Sequence, residues 1–152
     1  MQNSEKINLY LRSEELKKYL TDHFGFPEKL MQSYGFYEPP VNRIIYMSNQ
    51  RDIIFSDKIT QIGLPAYKGD FPRGYITNAF IYRFGGAATR NVIDVDRKHL
   101  PILLNREGVH IDNLTTSGYR IITSGPHILG RGWVREEKLY MDAPKIWKQN
   151  LL

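Results

Sequence analysis

Residues 118–141 read GYRIITSGPHILGRGWVREEKLYM, and the fold class turns on this stretch. Three runs rich in β-branched and aromatic residues, Tyr119–Thr123, His127–Val134 and Lys138–Met141, are separated by Ser124-Gly125-Pro126 and by Arg135–Glu137. Such side chains fit a pleated, half-buried surface, whereas Gly and Pro interrupt it, so the spacing predicts short strands joined by tight turns. Thr116-Ser117-Gly118 is the turn before them, and Val109–Asp112 reads as a further strand. Several strands at this spacing predict a compact, barrel-like β domain. Within it, Leu129, Gly130, Arg131, Gly132 and Trp133 place glycine at alternate positions of one strand. That clears one face for a close neighbour or eases a barrel corner, and it sends Arg131 to the opposite face.

Working outward, Asn91–Val95 predicts a strand, and Asp96 a cap for a short helix through Leu104 that Pro101 keeps from being regular. Tyr75–Phe84 reads as an aromatic, β-branched strand ahead of a bend at Gly85-Gly86, and Pro65–Gly74 as a loop. Arg43–Met47 and Asp52–Phe55 read as strands around a Ser48–Arg51 hairpin loop, after a break at Pro39-Pro40. Ser13, followed by two glutamates, reads as the cap of a helix whose apolar face is Leu16, Tyr19, Leu20 and Phe24. Gly25 and Pro27 end it, and Pro27 opens a second short helix carrying Leu30, Met31 and Tyr34. Residues 1–8 are expected to be loose. The chain changes character near residue 90, from mixed to mostly β. The expectation is an α+β protein with two domains, 1–88 and 89–152.

The 152 residues carry 41% hydrophobic and 24% charged side chains, which excludes wholesale disorder, collagen-like sequence and coiled coil. No apolar run approaches the ~20 residues of a bilayer span, and the polar N-terminus does not resemble a secretory signal. Cysteine is absent, so disulfides, thiolate nucleophiles and thiolate zinc sites are excluded. A cytoplasmic location is compatible with that. Net charge is +5. Residues 1–78 hold 10 basic and 9 acidic side chains, whereas 79–152 hold 11 and 7. Seven of those 11 are arginines, the residue best suited to forked phosphate contacts. The surplus favours a polyanionic partner.

No enzyme motif accompanies it. His23, His99, His110 and His127 are scattered with no metal-ligand spacing. FGGAATRN, 84–91, is glycine-rich but lacks the spacing of a nucleotide-phosphate loop, and no nucleophile elbow occurs. Asp94 and Asp96 read as a solvated strand face and a helix cap rather than an acid–base pair. What remains is a binding surface in which Arg90, Lys98, Arg106, Arg120, Arg131, Arg135, Lys138, Lys145 and Lys148, interleaved with Tyr119, Trp133 and Trp147, offer charge neutralisation and stacking planes.

Gly118-Tyr119-Arg120-Ile121-Ile122, then His127-Ile128-Leu129-Gly130-Arg131-Gly132, then Leu139 and Pro144 resemble a PUA domain, a pseudo-barrel RNA-binding module of pseudouridine synthases, transglycosylases and RNA methyltransferases. Val92–Val95 and His99–Leu104 match the early part of that pattern. One departure is that Leu103-Leu104 is followed by Asn105-Arg106-Glu107 before Gly108, which displaces the glycine expected after the helix. The first half, through IGLPAYKGDF, YITNAFIYRF and TRNVIDV, is similar to the pre-PUA half of a two-domain ribosome-biogenesis factor of archaea and eukaryotes. The composition suits a stand-alone archaeal protein of that kind.

The resemblance implies a small α/β pre-PUA domain followed by a PUA-like β pseudo-barrel, with no catalysis and no cofactor. It implies RNA, rRNA or tRNA, as partner, in ribosome biogenesis or RNA modification, and no membrane association. Carried over by position, the family's groove between its first helix and its late strand nominates Arg90, Lys98, Arg106, Leu129, Gly130, Arg131, Gly132, Arg135 and Lys138, with Arg131 central. Arg131→Glu is then expected to weaken RNA binding without unfolding the chain. The competing expectation is an adaptor that docks a ribosome-assembly or RNA-modification protein, using an apolar patch of Tyr34, Phe36, Tyr37 and Tyr67.

Overall fold

A computed structural model describes residues 2–39, 43–49 and 63–144, with side chains from Ser13 onward. The chain forms two compact units, one holding the residues through Phe80 plus Ala87–Arg90, the other Ile81–Gly86 and the residues from Asn91 on.

The first unit opens with helix α1, Gln2–Phe24. The first eight residues, expected to be loose, are helical from Gln2, and Ser13 is buried inside the helix instead of capping it. No Gly or Pro interrupts residues 2–24, so extending the helix costs little once it is nucleated. Leu16, Leu20 and Phe24, one turn apart, are fully buried. Gly25 takes φ +66°, which returns its N–H to the Thr21 carbonyl and that of Phe26 to the Leu20 carbonyl. A short helix α2, Glu28–Gln32, follows Pro27 and buries Met31.

A four-stranded antiparallel sheet completes this unit: β1 (Gly35–Tyr37), β2 (Ile44–Ser48), β3 (Leu64–Lys68) and β4 (Tyr75–Ile76), in that order. β2 fulfils the expectation for Arg43–Met47, whereas Asp52–Phe55 lies outside the described residues. Two expectations fail. Leu64–Lys68, of which all but Leu64 falls in the expected Pro65–Gly74 loop, is an inner strand. Proline lacks an N–H, and the ladder accommodates it where the register shifts opposite Ile45 and Tyr46. Tyr75–Phe84 is not one strand. After Ile76 it becomes helix α3, Asn78–Phe84. The Thr77 hydroxyl accepts from Phe80 N at 3.1 Å, and this cap outweighs the β propensity of the aromatics.

The second unit is a curled five-stranded half-barrel of order β5-β7-β8-β9-β6. Its strands are β5 (Val92–Asp94), β6 (Val109–His110), β7 (Gly118–Ser124), β8 (His127–Arg135) and β9 (Lys138–Met141). β5 lies parallel to β7, and the other pairs are antiparallel. The three runs of residues 118–141 are thus strands within a residue of their expected ends. Between β5 and β6, a 3-10 turn, Arg97–His99, leads into helix α4, Leu100–Leu104. Leu103 and Leu104 pack with Val95, Ile122, Val134, Leu139 and Met141 on the inner face of the sheet. Each such side chain contributes roughly 1.5–3 kcal/mol through apolar burial.

Candidate nucleic-acid interface

Alternation along a strand gives the half-barrel two chemically different faces. Ile122, Val134, Leu139 and Met141 point inward, so their neighbours Ile121, Arg131, Trp133, Arg135 and Tyr140 point outward. Gly132 belongs to the inner face. A Cβ there would stand 2.2 Å from Ile122 Cδ1 and 2.6 Å from the Tyr140 carbonyl oxygen, so the missing side chain is what lets the Ile122 side chain and the next strand close over it. Gly130 takes φ +128° beside the register shift between Ile122 and Thr123, a conformation that a side chain would strain.

On the helical side, Asp96 Oδ1 accepts from Lys98 N at 3.0 Å and starts the turn into α4. With Leu103 and Leu104 held in the core, Arg97, Lys98 and Arg106 are exposed, Arg106 at φ +61° just past the helix end. None of the three has an ion-pair partner among the described residues, and the same holds for exposed Lys138. The carboxylates of this unit are used differently. Asp94 Oδ1 accepts from Thr123 Oγ1 at 3.0 Å and from Gly125 N at 2.9 Å, fixing the β7–β8 turn. Asp96 is the helix cap, and Asp142 is paired with Arg131 at 2.5 Å. Glu107 and Glu137 remain exposed without such a role among the described residues. Asp112 and Glu136 are exposed as well, beside His110 and Arg135 at 3.5 Å each, and Asp94 and Asp96 keep their charge at the surface, so what distinguishes the four cations is that none has an ion-pair partner among the described residues.

The outer face carries an aromatic row. Trp133 on β8 is the register partner of Tyr119 on β7 and of Tyr140 on β9. Trp133 and Tyr140 stack with ring centroids 5.8 Å apart and planes 10° from parallel. Gly108 makes room for the end of the row, because a Cβ there would meet the Tyr140 ring at 2.7 Å. Tyr119, Trp133, Arg131 and Arg135, with Gly118 and Val134, line an open cavity of about 430 Å3. The Arg131 guanidinium lies 5.9 Å from the Tyr119 ring centroid and is largely buried, with 11% of its side chain exposed. Tyr82 OH donates to the Leu129 carbonyl at 3.4 Å. Burial raises the Tyr82 pKa, the Asp142 charge adds to the rise, and the Arg131 charge opposes it.

The structure distributes the nominated residues unevenly. Arg131 and Arg135 share the outer cavity, and Lys138 faces Arg135 across the Glu136-Glu137 turn. Leu129 packs against the inner core, and Gly130 and Gly132 are buried. Lys98 and Arg106 flank the helix that fills the inner face. Arg90 belongs to the first unit, where its guanidinium donates to the Asp22 carbonyl at 3.1 Å and its backbone N–H to the Phe24 carbonyl. It thus caps the negative end of α1. Arg120 is also committed: it donates to the Thr116 and Tyr119 carbonyls, and burial draws its pKa below the usual guanidinium range. Lys145, Lys148 and Trp147 lie outside the described residues. Arg131, held by Asp142, is a mount for the outer face as much as a contact. Arg131→Glu would set two carboxylates together and so disturb the fold as well as any ligand.

Tyr119 and Trp133 are among the stacking planes the sequence suggests, whereas Tyr140 is not, although a signal for it exists. A two-residue turn at Glu136-Glu137 pairs Arg135 with Lys138, which puts Trp133 opposite Tyr140. Among the described residues, no His, Asp and Glu side chains gather into a group that could hold a metal ion, and no helix is long and apolar enough to cross a membrane. No family model, no curated protein and no solved structure matches the chain.

Proposed function

We propose that this chain is a non-catalytic, cytoplasmic RNA-binding protein of PUA type that recognises structured RNA, rRNA or tRNA, in ribosome biogenesis or RNA modification. One observation carries the reading. Arg97, Lys98, Arg106 and Lys138 of the second unit are exposed, and none of them has an ion-pair partner among the described residues. Exposed cations without local partners are what counterion release from a polyphosphate requires. The half-barrel with a helix on its inner face is compatible with the pseudo-barrel architecture implied by the resemblance.

The test is the binding of fluorescent tRNA and of rRNA hairpins to the full chain over a range of KCl concentrations. Engagement of ~4–5 phosphates gives a log–log salt slope of roughly −3 to −4. Lys98→Glu with Arg106→Glu reduces affinity at least tenfold and flattens the slope by about 2, while leaving thermal stability unchanged because both side chains are exposed. Absence of saturable binding at about 0.15 M salt, where screening is physiological, overturns the reading and leaves a protein-docking adaptor in its place, though not through the expected apolar patch, because Phe36, Tyr37 and Tyr67 are buried.

A further inference from the structure

We infer that the outer face of the half-barrel is a stacking site for an unpaired nucleotide, with the base laid against Trp133 and Tyr119 and the phosphate directed to Arg135. The inference rests on the RNA-binding reading and narrows it to one surface and one kind of ligand.

Three features converge there. First, the row Tyr119–Trp133–Tyr140 is half-buried on the face opposite the cluster of Ile122, Leu139 and Met141, and unlike Ile121 on that same face, which is fully buried near Gly85, its rings keep solvent contact. Cross-strand aromatic pairing alone stabilises a sheet, but it does not call for an open cavity beside the pair. Second, the row is held before any ligand arrives. Tyr140 lies over Gly108, Trp133 stacks on Tyr140, and the Arg131–Asp142 pair braces the adjoining position. A platform fixed in this way loses little conformational freedom on binding. Third, the charged groups lining the cavity are Arg131 and Arg135. Two guanidinium groups beside indole and phenol rings repel a cationic ligand and suit one that joins a flat π system to an anion. A nucleotide has both parts. The base must be unpaired, because a base within a duplex offers its faces to its neighbours and not to a protein ring.

Arg135 is the outer member of the set. It is exposed, and its pair with Glu136 is an exposed 3.5 Å contact of the kind that contributes little, so a phosphate displaces Glu136 at small cost.

The experiment uses the full chain with Trp147→Phe, which leaves Trp133 as the sole indole. An eight-nucleotide oligoadenylate and a blunt, fully paired RNA duplex are titrated against Trp133 emission, with anisotropy of labelled RNA read in parallel. The inference predicts saturable quenching by oligoadenylate and none by the duplex. It also predicts that Trp133→Leu or Tyr119→Leu lowers oligoadenylate affinity about tenfold while duplex affinity stays within about twofold, as expected when one stacked base is lost. Should either variant lose its fold, the quenching of intact Trp133 decides the matter alone. Oligoadenylate that binds with no quenching, or quenching equal for the two RNAs, overturns the stacking site and leaves the RNA-binding reading standing. Failure of both RNAs and of structured tRNA to bind overturns both.

Discussion

The two faces of strand β8 are a controlled comparison, since they share a backbone and differ in the side chains that alternate along it. Inward, Gly132 and Val134 meet Ile122, Leu139 and Met141, and the one charge among their neighbours, Arg120 opposite Gly132, is buried and spent on backbone carbonyls. Outward, Arg131 sits opposite the fully buried Ile121, and beyond it Arg131, Trp133 and Arg135 meet Tyr119, Tyr140 and Asp142, where a ring or a charge keeps partial solvent. The inner face is closed because it excludes water. Around Tyr119, Trp133 and Tyr140 the outer face is ordered without being closed, and that is the condition under which a surface retains affinity for something else.

Substitutions at the two faces should fail in different ways. The largest effect belongs to Gly132→Val. Its Cβ alone would overlap Ile122 and the Tyr140 carbonyl, so the substitution should cost about 3 kcal/mol or abolish folding, as overpacking does. Urea denaturation of the variant checks this, and a stable variant would mean that the inner face is looser than described.

Asp142→Asn comes next. It leaves the largely buried Arg131 without its counter-charge, and because Asp142 is itself 39% exposed the cost is discounted to about 2 kcal/mol. The same measurement reads it. Arg131→Met with Asp142→Leu should recover part of the loss, since replacing both partners removes the stranded charge.

The smallest effect is alkaline and lies at the rim of the outer face. The Tyr82 pKa is raised in the folded state, first by burial and then by Asp142. The unfolded chain therefore loses the phenol proton first. The contribution of this group is fully present below pH ~10 and is lost as pH rises from there through the folded pKa. The urea midpoint should fall above pH ~10, and Tyr82→Phe should make that fall shallower. An unchanged profile would show that other groups set the alkaline limit.

Legibility followed the range of the interactions involved. The strands of residues 118–141 and the Asp96 cap could be read because each depends on residues a few positions apart. Tyr75–Phe84 was misread because the hydroxyl of Thr77 competes with the β propensity of the aromatics, and a cap outweighs propensity in a short segment. Pro65 was taken as a loop marker, yet it sits in an inner strand at a register shift supplied by a different strand. The candidate site divided in the same way. Arg135 and Lys138 are neighbours across a local turn, whereas the hydrogen bond that ties Arg90 to the end of a helix finishing 66 residues earlier, at Phe24, depends on packing that near neighbours do not reveal.

By itself the sequence determined the alternation of apolar and polar residues, the turns that punctuate it, the absence of thiol chemistry and the surplus of arginine in the second half. These are properties of composition and near neighbours, and no packing arrangement alters them. Only the tertiary structure decided which cations stay free and which are bound by a carboxylate or a helix end, and only it set Tyr119, Trp133 and Tyr140 in one row. The reason is physical: a charge is neutralised, and a ring is stacked, by whatever lies within a few ångströms in space, and pairing between strands brings together residues that the chain holds far apart.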